Sequence, residues 1–386
     1  MHSISIYVEI NINKEMNPFL LYNYMGPDYF CNREKESEIL LKNIHNSSNT
    51  AVFSQRRIGK TALVKHVFYL MKNEGNAIYL DIFPTSSLKE FSDALATAIY
   101  QEFPVHESAG KKFWEHIKLL RPVLRVNALS GEPELTLDVS QPEQIEKSIP
   151  QLLSFLDQQQ KKVVIAIDEF QQILTYPEKN VEALLRTVIQ NLRNITFVFL
   201  GSDSKLMVAI FNSAKRPFYG STAFITLNRI PKEEYSAFIK KTFHKIGVSM
   251  DEEVPEMILE LTCGHTYYTQ RLCHEICANQ LPFIHEKDVT DTLYGLIQQN
   301  EAVYFQYRNL LTKSQWKTLK AVASEEVVYQ PYSQNFIKNY NLGSTSTLKR
   351  NLEALVDKAI IYHNLSVDEP FYEVEDKFLM RWLQNE

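Results

Sequence analysis

Between residues 50 and 230 the chain alternates short apolar segments with amphipathic ones, and this alternation restricts the fold more than any other feature of the sequence. Five segments are predicted to be strands: TAVF (50–53), AIYLDIF (77–83), KVVIAIDEF (162–170), TFVFLGS (196–202) and AFITLN (223–228). Strands that are apolar almost throughout are typical of a parallel sheet buried on both faces. The segments between them carry apolar residues at helical spacing. We therefore predict an α/β domain in which helices cover both faces of a parallel sheet.

The first of these strands is followed by SQRRIGKT, residues 54–61, and then by a helix predicted over 61–73. A phosphate-binding loop has the pattern Gly, four residues, Gly-Lys-Ser/Thr, and here Ser54 occupies the first glycine position. A loop between a strand and a helix aims backbone N–H groups and a helix N-terminus at an anion. Gly59, which packs closest to the phosphates, is present, so we expect nucleotide binding to survive the serine. The predicted nucleotide-binding residues of this segment are Ser54, Gln55, Arg56, Arg57, Ile58, Gly59, Lys60, Thr61 and Ala62.

Two residues at the end of this loop have specific predicted roles, and their predicted partners follow the third strand. Lys60 is expected to reach the β- and γ-phosphates, and Thr61 to hold Mg²⁺. Asp168 and Glu169 stand at the C-terminal end of KVVIAIDEF, and open parallel sheets bind ligands outside that end. We predict that Asp168 acts beside Thr61 at Mg²⁺, and that Glu169 is the general base for an attacking water.

Two further catalytic candidates lie on later segments. Ser202 ends the strand TFVFLGS, where a polar side chain can orient the lytic water. Arg216 is on a loop at the sheet end, where an arginine can stabilise phosphoryl charge, and a solvated surface arginine is the alternative. For Arg56 and Arg57 three interpretations stay open: contact with phosphate, with a neighbouring subunit or with the C-terminal domain.

After residue 230 the apolar strands stop and the pattern becomes helical. Predicted helices, which we interpret as a lid, cover 232–246, 252–261, 265–280 and 287–304. The tail has the pattern of a winged helix-turn-helix, with helices at 313–324, 333–340, 344–358 and 376–383 and strands at 359–364 and 370–374. The predicted division is an N-terminal arm (1–30), a phosphate-binding domain (31–230), a helical lid (231–304) and a winged-helix domain (305–386). A hairpin over 121–139, turning at Ser130-Gly131, is expected as an insertion.

The third helix of the tail is the candidate recognition helix of the winged-helix domain. Its first two turns concentrate the polar residues Ser344, Thr345, Ser346, Thr347, Lys349 and Arg350. Residues at this end of the helix reach base edges when a helix-turn-helix docks on DNA. Residues 305–386 nevertheless carry ten Lys/Arg and ten Asp/Glu, unlike a strong DNA-binding domain. We therefore favour contact with the chain's own phosphate-binding domain or with a protein partner, and keep DNA as the alternative.

Composition sets the remaining limits. The net charge of −5 gives no whole-chain sign of nucleic-acid binding, and no apolar run is long enough to span a membrane. The four cysteines lack metal-binding spacing, so we interpret them as reduced thiols of a cytoplasmic protein. Residues 1–15 contain an apolar alternation, which is either a stray strand or an extension before a true start at Met16.

Seven stretches, in chain order, resemble archaeal-type ATPases of the AAA+/STAND group within the P-loop NTPases. They are NPF (17–19), YFCNREKE (29–36), SQRRIGKT (54–61), IDEFQ (167–171), GSDSKLM (201–207), RPFYGS (216–221) and VEDKFLMRWL (374–383). The resemblance implies a five-stranded sheet of the AAA+ (ASCE) type, a helical lid and a C-terminal winged helix. It also implies ATP as the nucleotide.

The same resemblance assigns residues around the base of the nucleotide. It implies that Arg33 and Glu34 lie near the adenine. It also implies that CGHTYY (263–268) is the lid segment that closes over the nucleotide, with Thr266 in place of a frequent proline. Ser221 stands where relatives often carry an arginine. Together with the predicted base and metal ligands, this predicts a slow, Mg²⁺-dependent ATPase that acts as a nucleotide-driven switch; a nucleotide-binding DNA regulator is the alternative.

Overall fold

The computed structural model describes residues 17–127, 131–365 and 369–386, so the apolar alternation within residues 1–15 lies outside the described part. The described strands are β1 (Thr50–Phe53), β2 (Gly75–Asp81), β3 (Pro122–Val126), β4 (Pro133–Leu137), β5 (Lys162–Asp168), β6 (Ile195–Gly201), β7 (Ala223–Thr226), β8 (Ser249–Met250), β9 (Phe283–Ile284), β10 (Ile361–Asn364) and β11 (Phe371–Val374). The described α-helices are α1 (Glu34–His45), α2 (Lys60–Leu70), α3 (Leu88–Glu102), α4 (Ser108–Ile117), α5 (Pro142–Asp157), α6 (Val181–Ile189), α7 (Ser204–Asn212), α8 (Lys232–Lys245), α9 (Val254–Leu261), α10 (Thr266–Ala278), α11 (Glu286–Leu310), α12 (Lys313–Glu325), α13 (Gln334–Asn339), α14 (Thr345–Asp357) and α15 (Lys377–Asn385).

The predicted parallel sheet is confirmed, with five strands in the order β2-β5-β6-β1-β7. Every neighbouring pair is parallel, so all the carboxyl ends meet at one edge. The register places Asp81 opposite Asp168, and Phe53 opposite Gly201. Because β1 lies between β6 and β7 and is not an edge strand, the loop that follows it lies beside the carboxyl ends of both neighbours.

Alternate residues of β5 enter two different apolar cores, one on each face of the sheet. Val163, Ile165 and Ile167 join a core with α3, α5, α6 and α7. Val164 and Ala166 join a second core with α1 and α2. Successive side chains of a strand point to opposite faces, so a strand covered on both sides must be apolar at every position. This is why the strand has only apolar residues, VVIAI (163–167), between the exposed Lys162 and Asp168.

The predicted insertion is an antiparallel hairpin of β3 and β4. The hairpin packs on α3, where the amide of Leu137 donates to Asp93 Oδ1 at 2.9 Å. Its predicted turn includes Ser130, and residues 128–130 lie outside the described part.

The C-terminal half contains the lid and the winged helix. The lid is helical, as predicted, apart from the two-residue parallel pair β8 and β9. Its last helix, α11, ends at Leu310 rather than at 304, so the predicted domain boundary falls inside this helix. One continuous apolar core joins the lid to the winged helix, and the rings of Tyr268 and Phe378 meet across it at 5.1 Å. The lid and the winged helix therefore pack as one unit.

The first described residues of the N-terminal arm are packed against the lid. Phe19 is buried in the C-terminal core, with its ring centroid 4.6 Å from that of Phe243. His274 Nδ1 lies 2.8 Å from the carbonyl oxygen of Phe19, and Asn17 donates to the carbonyl oxygen of His274 at 2.9 Å. Among the described helices, none combines the length and apolar character that crossing a membrane requires.

Candidate functional site

The loop between β1 and α2 does not need a glycine at its first position. Its two residues with left-handed backbone are Arg57 (φ 59°) and Gly59 (φ 110°), and Ser54 is not one of them. The amide of Ser54 donates to Gly201 O at 3.4 Å, which continues the ladder between β1 and β6. A side chain is strained where φ is strongly positive, so the glycine requirement falls on Gly59, the N-cap of α2. The serine substitution is therefore compatible with the loop.

Lys60 opens α2 and folds back over the loop. Its Nζ donates to Ser54 O at 3.2 Å, to Ser54 Oγ at 3.4 Å and to Gln55 O at 3.1 Å. The residue is only 6 % exposed, and burial lowers the pKa of its ammonium group, while Glu169 and Asp168 act in the opposite direction. Among the described residues, no carboxylate lies within ion-pair distance of Nζ. A buried ammonium group with only neutral oxygen partners fits a site that receives an anion.

Thr61 and Asp168 meet as predicted, although 107 positions separate them in the chain. Thr61 Oγ1 donates to Asp168 Oδ2 at 2.9 Å, and Oδ1 accepts the amide of Glu169 at 2.9 Å. A hydroxyl and a carboxylate are hard oxygen donors of the kind that Mg²⁺ prefers. Magnesium at nucleotide sites takes few protein ligands because phosphates and waters supply the others, so this pair fits the ion.

Tyr79 of β2 joins the same carboxylate. Its hydroxyl donates to Asp168 Oδ2 and lies 3.4 Å from Thr61 Oγ1. Burial, followed by the charge of Asp168, raises the pKa of Tyr79 well above its ordinary value, so the phenol keeps its proton and acts as the donor. The sequence analysis did not select this residue.

Glu169 is held beside the pair by side chains from two segments. It adopts left-handed backbone (φ 55°) directly after β5 and precedes the short helix Phe170–Thr175. Glu169 Oε2 accepts Ser202 Oγ at 2.6 Å and also accepts Gln171 Nε2. Ser202 Oγ in turn accepts Arg56 Nε at 3.4 Å. The structure therefore brings Ser202 to the predicted base itself, and connects both residues to the loop.

Three loop residues contact the C-terminal half. Gln55 Nε2 donates to Glu375 Oε2 of the winged-helix domain at 3.1 Å. The carbonyl oxygen of Ile58 accepts Thr266 Oγ1, at the start of α10, at 3.1 Å. The guanidinium of Arg57 stacks over the ring of Tyr267, 4.4 Å from its centroid. This contact of Arg57 is with the lid, a partner that none of the three interpretations had named.

A cavity of about 250 Å³ lies where the loop, the lid and the winged helix meet. It is lined by Arg56, Arg57, His265, Tyr268, Tyr307, Ala359, Ile360, Glu375, Asp376 and Leu379. His265 is 1 % exposed, and neither ring nitrogen has a hydrogen-bond partner among the described residues. Burial, assisted by Lys377, lowers the pKa of this imidazole, so the ring is neutral. One wall of the cavity therefore carries a neutral, buried imidazole.

Two predicted site residues have other partners. Arg33 is 4 % exposed, and its guanidinium donates to Glu36 at 2.9 Å and to the carbonyl oxygen of Asn228 at 2.6 Å. It therefore connects the start of α1 to the segment after β7. Arg216 forms an ion pair with Glu182 of α6, and within the described part of the chain no hydrogen bond or ion pair joins it to Lys60, Asp168 or Glu169.

The other predicted residues take ordinary places. Ala62 lies half-buried in the first turn of α2, and Glu34 is exposed at the start of α1. The site residues that sequence reasoning missed are Tyr79, Gln171, Thr266, Tyr267 and Glu375. Gln171 and Glu375 lie inside stretches that carried the family resemblance, and Thr266 and Tyr267 lie in the lid segment that it implied, which was the available signal for them.

Comparison with known proteins agrees with this geometry. Residues 30–272 match a family described as an ATPase domain predominantly from Archaea, and residues 302–385 match a probable winged helix domain. No curated protein matches the chain. Among solved structures, a Walker-type ATPase of Pyrococcus abyssi is similar over 95 % of this chain and 99 % of its own, with 18 % identity and a TM-score of 0.65.

Two proteins of Aeropyrum pernix share the fold more distantly. The ORC2 protein, solved as ADPNP–ADP complexes, is 16 % identical over 96 % of both chains, with a TM-score of 0.57. The ORC1 protein, solved in complex with DNA, is 13 % identical over 93 % of both chains, with a TM-score of 0.51. At these identities the likeness concerns the fold.

Proposed function

The chain belongs to the family of ATPase domains found predominantly in Archaea, and from this premise we propose that it is a slow, Mg²⁺-dependent ATPase whose bound nucleotide alters the contact between the loop and the C-terminal half. The observation that carries the proposal is that the lid and the winged helix both touch the phosphate-binding loop itself, through Thr266 on Ile58 and Glu375 on Gln55. Phosphate bound in this loop would act directly on those contacts.

The proposed roles in hydrolysis follow from the arrangement of the side chains. Lys60, buried without an anionic partner, would bind the phosphates. Thr61 and Asp168 would hold Mg²⁺, which supplies charge neutralisation of the phosphates when bound. Glu169 would take the proton of the attacking water.

Slow turnover is proposed because the catalytic base is engaged. Glu169 Oε2 already accepts hydrogen bonds from Ser202 and Gln171, so this oxygen is occupied before a water approaches it. Arg216 is paired with Glu182 rather than free to approach a phosphate. An arginine that reaches the transferred phosphoryl group accelerates such sites by about 10³–10⁵-fold, so a site without one hydrolyses slowly.

Charge gives the proposed switch its direction. Glu375 is largely buried, and burial raises the pKa of its carboxyl group, which the bond from Gln55 opposes. Its charge also acts on Lys60, the residue proposed to bind phosphate. Phosphate and the Glu375 carboxylate carry the same sign, so nucleotide binding should weaken the contact between Glu375 and the loop.

The experiment compares ATP affinity and amide hydrogen exchange in the wild type, Glu375→Gln and the control Glu353→Gln, which removes one charge from an exposed position of α14. We expect ATP to increase exchange over residues 371–376 in the wild type. We also expect Glu375→Gln to bind ATP several-fold more tightly, whereas Glu353→Gln does not. ATP binding that leaves exchange over 371–376 unchanged would refute the switch while leaving the ATPase in place.

DNA binding remains the second candidate, and the exposure of the candidate recognition helix favours it. Ser344, Thr345, Ser346, Lys349 and Arg350 are all exposed at the start of α14. We would measure the duplex-binding constant across a salt series and plot its logarithm against the logarithm of the salt concentration. The slope should be about two units shallower in Lys349→Ala/Arg350→Ala than in the wild type. The matched control is Lys111→Ala/Lys112→Ala, which removes two exposed charges from α4. Equal, shallow slopes in all three proteins would exclude this candidate.

A further inference from the structure

We propose that Tyr79 is a positioning residue for magnesium, which orients the Asp168 carboxylate toward Thr61. The inference rests on the proposed nucleotide site, in which Thr61 and Asp168 would hold the metal, and it adds Tyr79 as a third residue. The observation behind it is that one carboxylate oxygen, Asp168 Oδ2, accepts hydroxyl groups from two different elements, Thr61 of α2 and Tyr79 of β2.

The register of the sheet explains how a tyrosine of β2 reaches a carboxylate at the end of β5. Tyr79 is the register partner of Ala166. Asp168 lies two positions beyond Ala166, and residues two apart on a strand share a face. Because Ala166 has a side chain of a single methyl group, the tyrosine ring can extend past it along the face shared with α2. A larger residue at 166 would occupy that path.

The ring is also fixed from the helix side. Lys65 of α2 lies with its Nζ 5.3 Å from the centroid of the Tyr79 ring. A cation over an aromatic face is attracted to it and favours one ring orientation. Tyr79 therefore contacts β5 through its hydroxyl and α2 through its ring, which are the two elements that carry Asp168 and Thr61.

Asp168 has a specific need for such a donor. It is 7 % exposed, so its charge depends on protein hydrogen bonds rather than on bulk water. The amide of Glu169 fixes Oδ1, which leaves rotation of the carboxylate to be limited by the donors on Oδ2. Thr61 is one of these, but its hydroxyl oxygen is also the predicted metal ligand. The other donor to Oδ2 is Tyr79, and its hydroxyl oxygen is not a predicted metal ligand.

Residues that hydrogen-bond to a metal ligand without binding the metal themselves typically contribute about 10–100-fold to metal affinity. Tyr79→Phe retains the ring and removes only the donor, so it should shift the metal requirement without removing nucleotide binding. The matched control is Tyr176→Phe, which removes a buried hydroxyl bonded to Thr85, away from the metal pair.

The test titrates Mg²⁺ against the affinity for a fluorescent ADP analogue, and measures Mn²⁺ binding to the protein–ADP complex by electron paramagnetic resonance. We expect Tyr79→Phe to keep its nucleotide affinity in EDTA, and to need about 10-fold more Mg²⁺ or Mn²⁺ for half-saturation. Tyr176→Phe should match the wild type in both measurements.

Two results would overturn the inference. One of them would leave the proposed nucleotide site in place, and the other would also overturn the proposed Mg²⁺-dependent function. If Tyr79→Phe and Tyr176→Phe have the same metal requirement as the wild type, the positioning role is wrong and the nucleotide site stands. If the wild type binds nucleotide equally well with and without Mg²⁺, the metal pair itself is wrong, and the proposed Mg²⁺-dependent function is lost with it.

Discussion

Replacing Glu373 by glutamine should weaken the junction between the winged helix and the segment that links the sheet to the lid, because Glu373 is the anion of a buried ion pair. Its side chain is 1 % exposed and lies 3.0 Å from Nζ of Lys377, which is 0 % exposed. It also pairs with Arg229, in the segment between β7 and α8. The contact therefore joins β11 and α15 to the segment that links the sheet to the lid.

The magnitude follows from the pKa of this carboxyl group. Burial alone raises it, but Lys377 and Arg229 more than offset that effect and hold the pKa at about 2, against an ordinary value of 4.5. That difference corresponds to about 3 kcal/mol of stability at neutral pH. Because the folded-state pKa lies below the unfolded one, the contribution is complete above about pH 4.5 and is lost as the pH falls toward 2.

The assay is urea unfolding followed by the fluorescence of Trp114, in the sheet domain, and of Trp316 and Trp382, in the C-terminal half. At pH 7 we expect Glu373→Gln to lower the free energy of unfolding by about 3 kcal/mol, and at pH 3.5 by about 2 kcal/mol. Glu115→Gln, which breaks an exposed pair with Lys118, should cost less than about 1 kcal/mol.

Adding Lys377→Met to Glu373→Gln should restore most of the loss, because the unpaired buried charge is then removed. The reasoning is refuted if Glu373→Gln costs no more than Glu115→Gln at pH 7, or if its cost grows as the pH falls.

Three further predictions concern the candidate site. Glu169→Gln should keep ATP affinity and lower steady-state turnover by about 10²–10⁴-fold, while the exposed-residue control Glu146→Gln leaves turnover unchanged; equal turnover in both would exclude Glu169 as the base. Ser54→Gly should lower the free energy of unfolding by about 0.5–1 kcal/mol in thermal melts without tightening ATP binding, because Ser54 does not use left-handed backbone; tighter binding would contradict this. Arg216→Ala should leave single-turnover hydrolysis unchanged and lower the melting temperature, since it leaves Glu182 half-buried and unpaired; slower hydrolysis with an unchanged melting temperature would return Arg216 to the site.

The fold was predictable because its main signal is local. The strand KVVIAID is apolar from Val163 to Ile167, and such a run is typical of a strand in a parallel sheet covered on both faces. The pairing of Thr61 with Asp168 was predictable for a related reason. Both residues follow carboxyl ends of parallel strands, and those ends share one edge of the sheet.

The contacts that were missed depend on register or on distant packing. Nothing in AIYLDIF distinguishes Tyr79 from a core aromatic residue, because its role arises from standing beside Ala166 in the folded sheet. The partners of Arg33 and Arg216, Asn228 and Glu182, are set by the packing of elements far apart in the chain.

The junction with the winged helix was missed for the same reason. Gln55 and Glu375 are separated by 320 positions, and each is an ordinary polar residue in its own segment. Helical and strand periodicity predicts where elements begin and end, but not which polar side chains meet after the elements pack.

The central claim is that Lys60 and the Thr61–Asp168 pair form one site for ATP and Mg²⁺. Isothermal titration of ATP with Mg²⁺ into the wild type, Lys60→Ala and the exposed control Lys72→Ala tests it most directly. We predict one ATP per wild-type chain, the same affinity in Lys72→Ala, and a loss of about 10- to 100-fold in Lys60→Ala, as expected for removal of a charge-assisted contact to phosphate. Equal affinity in all three proteins, each shown to be folded by its melting curve, would contradict the claim.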